Sequence, residues 1–571
     1  MNKKRKMLSR VRLLSLVLVL AALLSSCSFI VVGDEAEQPR DTAIETDGKD
    51  TETGAPDTEG TQTDKSPTAS KDPTKDALEA AKKQLAELKD YDFGGQNFII
   101  ATTSNMTFAT DSDEYYDRAL YLRDSLVEEK YNIDIITIFS GEGNIEKEIK
   151  NALLSEDYFA DLVSVPEYRV GKMAASGSII NLRSLPFYSP SPVYSAYTSE
   201  SYAGDAIYAD IGAASSDFSR AYAVFFNRDI AEQLGYDMDR IAAEGKWTWE
   251  LFDAIAREAT EKLGIAGQGS IKMGDEYTDV VFRSGGERLV RNKLGQTPRV
   301  YFNSRNTEEL VELACSLIYG NPSALRGGEK NFFPAFSDGK LLFAIAPLYS
   351  MESFAACNVE WGVIPIPKLS EQQERYYAYT EATANVLAVP KGNNKYDVTG
   401  IIIGGLNAAS YGLLASEYKM NCLYNYFRSE KALRSMDLVL SSLTFDFSFL
   451  YSSSAKKLAD ATYGAVREAR KSATYTATEL INLRMNEANA ELEELFGKKD
   501  FDYGEETGEV TETESPQSSE TVPASDSSDA SDPPESTDAP EIGENTEGPA
   551  QTAAAPSEDE TEELLSPTET E

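Results

Sequence analysis

The chain has 571 residues and no histidine. Ser-His-Asp and Cys-His nucleophile arrangements are therefore excluded, as is every zinc site that uses imidazole. Carboxylate chemistry survives: one acid of raised pKa and one ionised partner at a set separation suffice to hydrolyse a glycosidic bond. With 94 Asp and Glu in the chain, many such pairs are conceivable and the sequence marks none. The run Asp111-Ser-Asp113-Glu114 is dense enough in oxygen ligands to suggest a metal loop. It has neither the glycine at the turn nor the closing glutamate of an EF-hand, and reads as a solvated acidic loop. Neither a metal nor a cofactor is expected. The 30 tyrosines mark no site by abundance alone, since most will be packing residues.

Charge and cysteine content narrow the setting. The formal net charge is −40, against the basic patch that nucleic-acid binding requires. Residues 504–571 hold 21 acidic side chains and no Lys or Arg, and residues 28–76 hold 13 acidic against 5 basic. Both segments are rich in Ser, Thr, Pro and Gly and cannot bury enough apolar area to offset the entropy of ordering. They are predicted to be a linker and an acidic tail. As a flexible coil the linker would reach about 40 Å. The tail is read as a solubilising segment or a site of glycosylation or wall interaction. Cys315, Cys357 and Cys422 can form at most one disulfide, and are expected to be buried free thiols.

The N-terminus orders three signals: the basic residues Lys3, Lys4, Arg5, Lys6, Arg10 and Arg12, an apolar run from Leu13 to Leu24, and Ser25-Ser26-Cys27. That order is a secretory signal, and the run is shorter than the roughly 20 residues of a spanning helix. Leu24-Ser25-Ser26-Cys27 resembles the lipobox of bacterial lipoproteins. The resemblance implies a signal peptide over 1–26, a diacylglyceryl and fatty-acyl (palmitate-type) modification at Cys27, a lipid-anchored linker over 27–76, and a location on the outer side of the cell membrane. One acyl chain binds membranes only marginally, so the additional chains matter for anchoring. The alternative is an ordinary signal peptide with a chance cysteine.

Residues 77–503 are long enough for two lobes. A helix is expected from about Asp76 to Lys89, with Leu78, Ala81, Leu85 and Leu88 on one stripe. Strands over Phe98 to Ala101, Ile133 to Phe139 and Asp161 to Val165 then alternate with helices carrying Tyr115, Ala119, Leu122 and Leu126, and Ile145, Ile149 and Leu153. This alternation predicts an α/β fold with a parallel sheet covered on both faces. Ligands of such sheets sit beyond the carboxyl ends of the strands, which marks the loops after Ala101 and Val165.

Five stretches, in order, resemble the extracellular solute-binding proteins of bacterial ABC importers, the sugar-binding family that includes maltodextrin-binding protein. They are Asp161-Leu-Val with Pro166-Glu167-Tyr168-Arg169 and Ser176-Gly-Ser-Ile-Ile-Asn-Leu182; Val224-Phe-Phe-Asn227-Arg-Asp-Ile230; Gly245-Lys-Trp-Thr-Trp-Glu250; Phe336-Ser-Asp-Gly-Lys340-Leu-Leu-Phe343 with Pro347-Leu-Tyr349; and Trp361-Gly-Val-Ile-Pro-Ile-Pro-Lys368 with Asn385-Val-Leu-Ala-Val-Pro-Lys391. The resemblance implies a two-lobed periplasmic-binding-protein-like fold with a hinge of crossing segments. It implies a monomer that captures a small solute, a carbohydrate above all, and delivers it to the transmembrane subunits of an ABC permease by hinge closure, without catalysis.

It also places the site. Glu167 and Arg169 would bond hydroxyls and Tyr168 would stack, the alternative for Arg169 being an internal ion pair. Tyr349 would stack from the second lobe. Phe226 would face the cleft or belong to the core. Thr103, Ser104 and Asn105 would donate hydrogen bonds. Trp247, Trp249 and Trp361 are expected to be packing residues, with Thr248 an N-cap. Two rival readings are carried: a cell-surface hydrolase using a carboxylate pair, and a surface adhesion or sensing protein on the same fold.

Overall fold

The structure is a computed structural model that describes residues 73–108, 115–141, 143–427 and 434–497. The signal peptide, Cys27, nearly all of the linker, the Asp111–Glu114 loop and the acidic tail lie outside the described residues.

Two four-stranded sheets organise the chain. The first contains β1 (Gln96–Thr102), β2 (Ile133–Phe139), β3 (Leu162–Pro166) and β8 (Asn385–Ala388), in the order β8-β3-β1-β2. The second contains β4 (Tyr222–Asn227), β5 (Ala266–Ser270), β6 (Leu341–Pro347) and β7 (Trp361–Ile364), in the order β7-β4-β6-β5. Strands β1, β2 and β3 run parallel with the predicted helices Tyr115–Tyr131 and Asn144–Leu154 between them. The sheet is not wholly parallel, because β8 returns from the second lobe and pairs antiparallel with β3.

Burial explains why the inner strands read as near-continuous apolar runs. Ala101, Val163, Val165 and Val386 face one core, while Phe98, Ile100, Leu162 and Leu387 face the opposite one. In the second lobe Phe225, Ala346 and Val363 point one way, and Val224, Phe226 and Ile345 the other. Strand β2, almost wholly apolar in sequence, is the sheet edge, and Ile136, Ile138 and Phe139 are 37, 38 and 52% exposed. Composition gives a strand's apolarity and not its place in the sheet order.

The helix Trp249–Leu263 follows the expected start signal. Thr248 accepts a hydrogen bond from Leu251 N, and Gly264 closes the helix in the left-handed region. Trp247 and Trp249 are buried, their indoles donating to Pro365 O (2.9 Å) and Ser284 Oγ (2.7 Å). Trp361 packs beside Phe225 and Phe354, as expected of a core residue. Thr248→Ala should lose the cap and about 1 kcal/mol of stability, read as a shift of the urea midpoint. Cys357 and Cys422 are buried and Cys315 half-buried, and all three are free thiols. Burial pushes the Cys422 thiol up to about 12.

The chain leaves the first lobe through residues 217–221, returns through 380–385, and passes the hinge again at 442–446. These crossings are hydrogen-bonded to one another: Tyr222 N donates to Tyr379 O (2.9 Å), Glu381 N to Arg220 O (3.1 Å) and Ala378 N to Ser442 O (2.7 Å). Among the described residues these three segments therefore run hydrogen-bonded side by side between the two sheets.

Candidate functional site

The loops at the carboxyl ends of β1 and β3 in the first lobe, and of β5 and β6 in the second, meet over these segments. From the first lobe come Ser104, whose Oγ lies 3.4 Å from Asp217 Oδ2, and the exposed Asn105. Tyr168 N donates to Ala382 O (3.1 Å), which sets the turn after β3 directly against the second crossing. Arg169 Nε donates to Tyr168 Oη at 3.2 Å, and its guanidinium lies 5.2 Å from that ring. Gly143, at φ +84°, gives it room: a Cβ there would stand 3.1 Å from Arg169 Nη2. Arg169 also makes a long ion pair with Glu146, at 3.9 Å. Burial works against ionisation of Glu146, but Lys150, Lys172 and Arg169 outweigh it and hold its carboxyl below the ordinary value.

From the second lobe Tyr349 projects at the end of β6 and is 42% exposed. Its hydroxyl donates to Glu381 Oε1 at 3.0 Å, and the Arg220 guanidinium lies 5.2 Å from its ring. Burial, then Glu381, pushes its phenol up. Glu381, on the second crossing, is the hub. Its Oε2 accepts from Arg220 Nη1 (3.2 Å) and Thr383 Oγ1 (3.0 Å), while Lys272, after β5, stands 3.8 Å from Oε1. Arg220 is 3.6 Å from the fully buried Asp217, whose carboxyl is raised by burial and held by Ser219 and Ser104.

The described residues form a mixed α/β fold on two four-stranded sheets, with loops from the carboxyl ends of both meeting at the segments that join them. No protein-family model matches the sequence, and no curated protein matches it. Among solved structures it is similar to the galacto-N-biose/lacto-N-biose I-binding protein of an ABC transporter from Bifidobacterium longum, at 14% identity and TM-score 0.46, over 71% of this chain and 98% of that one. It is also similar to the sugar-binding protein MalE from Xanthomonas citri, at 10% identity and TM-score 0.47, over 70% of this chain and 98% of that one. A third is an extracellular solute-binding protein of family 1 from Alicyclobacillus acidocaldarius, at 13% identity and TM-score 0.42, over 71% and 100%.

The expected residues divide. Ser104 Oγ and Tyr349 Oη reach the crossings at Asp217 and Glu381, and Tyr168 abuts the second crossing through its backbone, whereas Arg169 takes the alternative role of an internal ion pair with Glu146. Phe226 does not reach the crossings: it is 1% exposed in the core beneath β4, with Arg228 over its ring at 5.0 Å. Glu167 does not serve as expected either. The 3-10 turn Glu167–Arg169 sends its first side chain inward, where it is 1% exposed beside Asp446 and Arg283. Arg220, Lys272 and Glu381 were not anticipated. Each is an isolated charged residue in sequence, and Arg220 and Glu381 become partners only because the crossings pair across 161 positions.

Proposed function

We propose that the protein is a binding protein that captures a small polar solute, a carbohydrate, in the interlobe cleft and presents it to the membrane subunits of an ABC permease. The observation that carries the reading is Tyr349: an exposed aromatic plate in the cleft, fixed by its own hydroxyl on Glu381 and flanked by Arg220. Such a plate suits the C–H face of a pyranose, and the surrounding side chains suit its hydroxyls.

A thermal-shift screen of the purified protein against sugars and peptides tests the reading. A sugar present at about 100 times its dissociation constant should add about 2.7 kcal/mol of stability. Stabilisation by peptides alone would overturn the ligand class. Turnover of an oligosaccharide would replace binding by hydrolysis. Tyr349→Ala should weaken the sugar identified by about fivefold or more, the worth of roughly 1 kcal/mol of ring stacking. An unchanged affinity in calorimetry would remove Tyr349 from the site.

The membrane location rests on Cys27 and its lipobox-like context. Cys27→Ser should move the protein from the membrane pellet to the soluble fraction and abolish incorporation of labelled palmitate. Retention in the pellet would show that the anchor lies elsewhere.

A further inference from the structure

The carboxylates around Arg220 and Lys272 are engaged by the protein itself. Glu381 receives Tyr349 Oη on one oxygen, and Arg220 Nη1 and Thr383 Oγ1 on the other, with Lys272 at 3.8 Å. Asp217 is fully buried and receives Ser219 Oγ (2.5 Å) and Ser104 Oγ (3.4 Å). Glu276 receives Tyr222 Oη and Lys272 Nζ. The donors are not used up. Arg220 makes one side-chain hydrogen bond, through Nη1, while its buried Nε lies 3.6 Å from Asp217 Oδ2 in an ion pair. Its side chain is 34% exposed and that of Lys272 48%, whereas the carboxylates behind them, Glu381 and Asp217, are 10 and 0% exposed. In a chain of net charge −40, the most exposed charged side chains at this end of the cleft are the cations Lys272 and Arg220, ahead of Glu276 at 22%.

A carboxylate only accepts, and it matches a guanidinium beside an ammonium, through charge-assisted bonds roughly twice as strong as neutral ones. Resting on the reading that the cleft captures a carbohydrate, we infer that its ligand is an acidic sugar of the uronate type. The pyranose face lies on Tyr349 and the carboxylate sits against Arg220 and Lys272. Glu381, held by four side chains, is a positioning residue that fixes Arg220 beside Tyr349.

The test is titration calorimetry on the purified full-length protein with matched oligosaccharides of galacturonate and galactose, glucuronate and glucose, and mannuronate and mannose. The tightest ligand is expected to be a uronate, exceeding its neutral counterpart by about tenfold or more, the worth of a charge-assisted hydrogen bond. Its affinity should fall as NaCl rises from about 50 to 500 mM. Arg220→Gln should bring the uronate-to-neutral ratio down to about one, and Arg220→Lys should restore part of it. A neutral sugar binding as tightly as its uronate, or uronate binding indifferent to salt, overturns the inference and leaves sugar capture standing. No binding by any of the six overturns both. The salt series keeps the inference testable if Arg220→Gln does not fold.

Discussion

Replacing Arg283 by Leu is expected to destabilise the protein by about 3–5 kcal/mol, the range for removing one partner of a buried ion pair. Its guanidinium, only 5% exposed, donates to Asp446 Oδ2 (2.9 Å), Phe445 O (2.6 Å) and Thr444 Oγ1 (3.0 Å). All three partners lie on the third crossing, so Arg283, at the end of the helix Asp275–Ser284, pins that crossing in place. Asp446 uses its other oxygen to cap the helix Phe447–Tyr451 through Ser448 N, at 2.8 Å. Without Arg283 the buried Asp446 faces Glu200 and Glu167 with its nearest cation gone. The measurement is the urea midpoint of Arg283→Leu beside Asp446→Asn and the double variant. Because the two residues touch, the double variant should lose clearly less than the sum of the singles. A loss below about 1 kcal/mol in Arg283→Leu would mean that the pair contributes no more than an exposed one.

That network also shows where sequence reading stops. The strands and helices of the first lobe were legible because their signals are local: β2 spans the predicted Ile133 to Phe139, and Thr248 caps the predicted helix. The loops after β1, β3 and β6 were legible because their motifs end at strand termini. Arg220 and Glu381 were not, since neither has a neighbour in sequence that gives it a role. Arg283 and Asp446 lie 163 positions apart and are paired only by the fold. Glu167 was misread for a related reason. Its neighbours Tyr168 and Arg169 are partly exposed, but a 3-10 turn of three residues cannot point all its side chains the same way. Phe226 stands in an apolar run whose alternation is masked because β4 is buried on both faces.

Glu167→Gln is expected to change how stability depends on pH. The Glu167 carboxyl is pushed well above its ordinary value of 4.5, first by burial and then by the charge of Asp446, against which the Asp446 N–H and Arg283 pull it down. The other carboxylate facing it is Glu200, itself raised by burial and paired with Arg288. Three buried carboxylates thus share one buried guanidinium, and Glu167, whose Oε1 has no hydrogen-bond partner among the described residues, is the member that keeps its proton. The sign follows from proton binding. The folded state holds this proton more tightly than the unfolded chain, so unfolding releases it, and stability falls as pH rises from about 4.5 through the raised folded value. Each tenfold difference in proton affinity is worth about 1.4 kcal/mol. Glutamine keeps the neutral shape at every pH and removes this slope. At pH 5 the variant and the wild type should melt close together, whereas by pH 8 to 9 the variant should be the more stable of the two. Melting curves across that range read the result directly. Parallel pH profiles would mean that Glu167 is ionised in the fold, with its charge carried by Arg283.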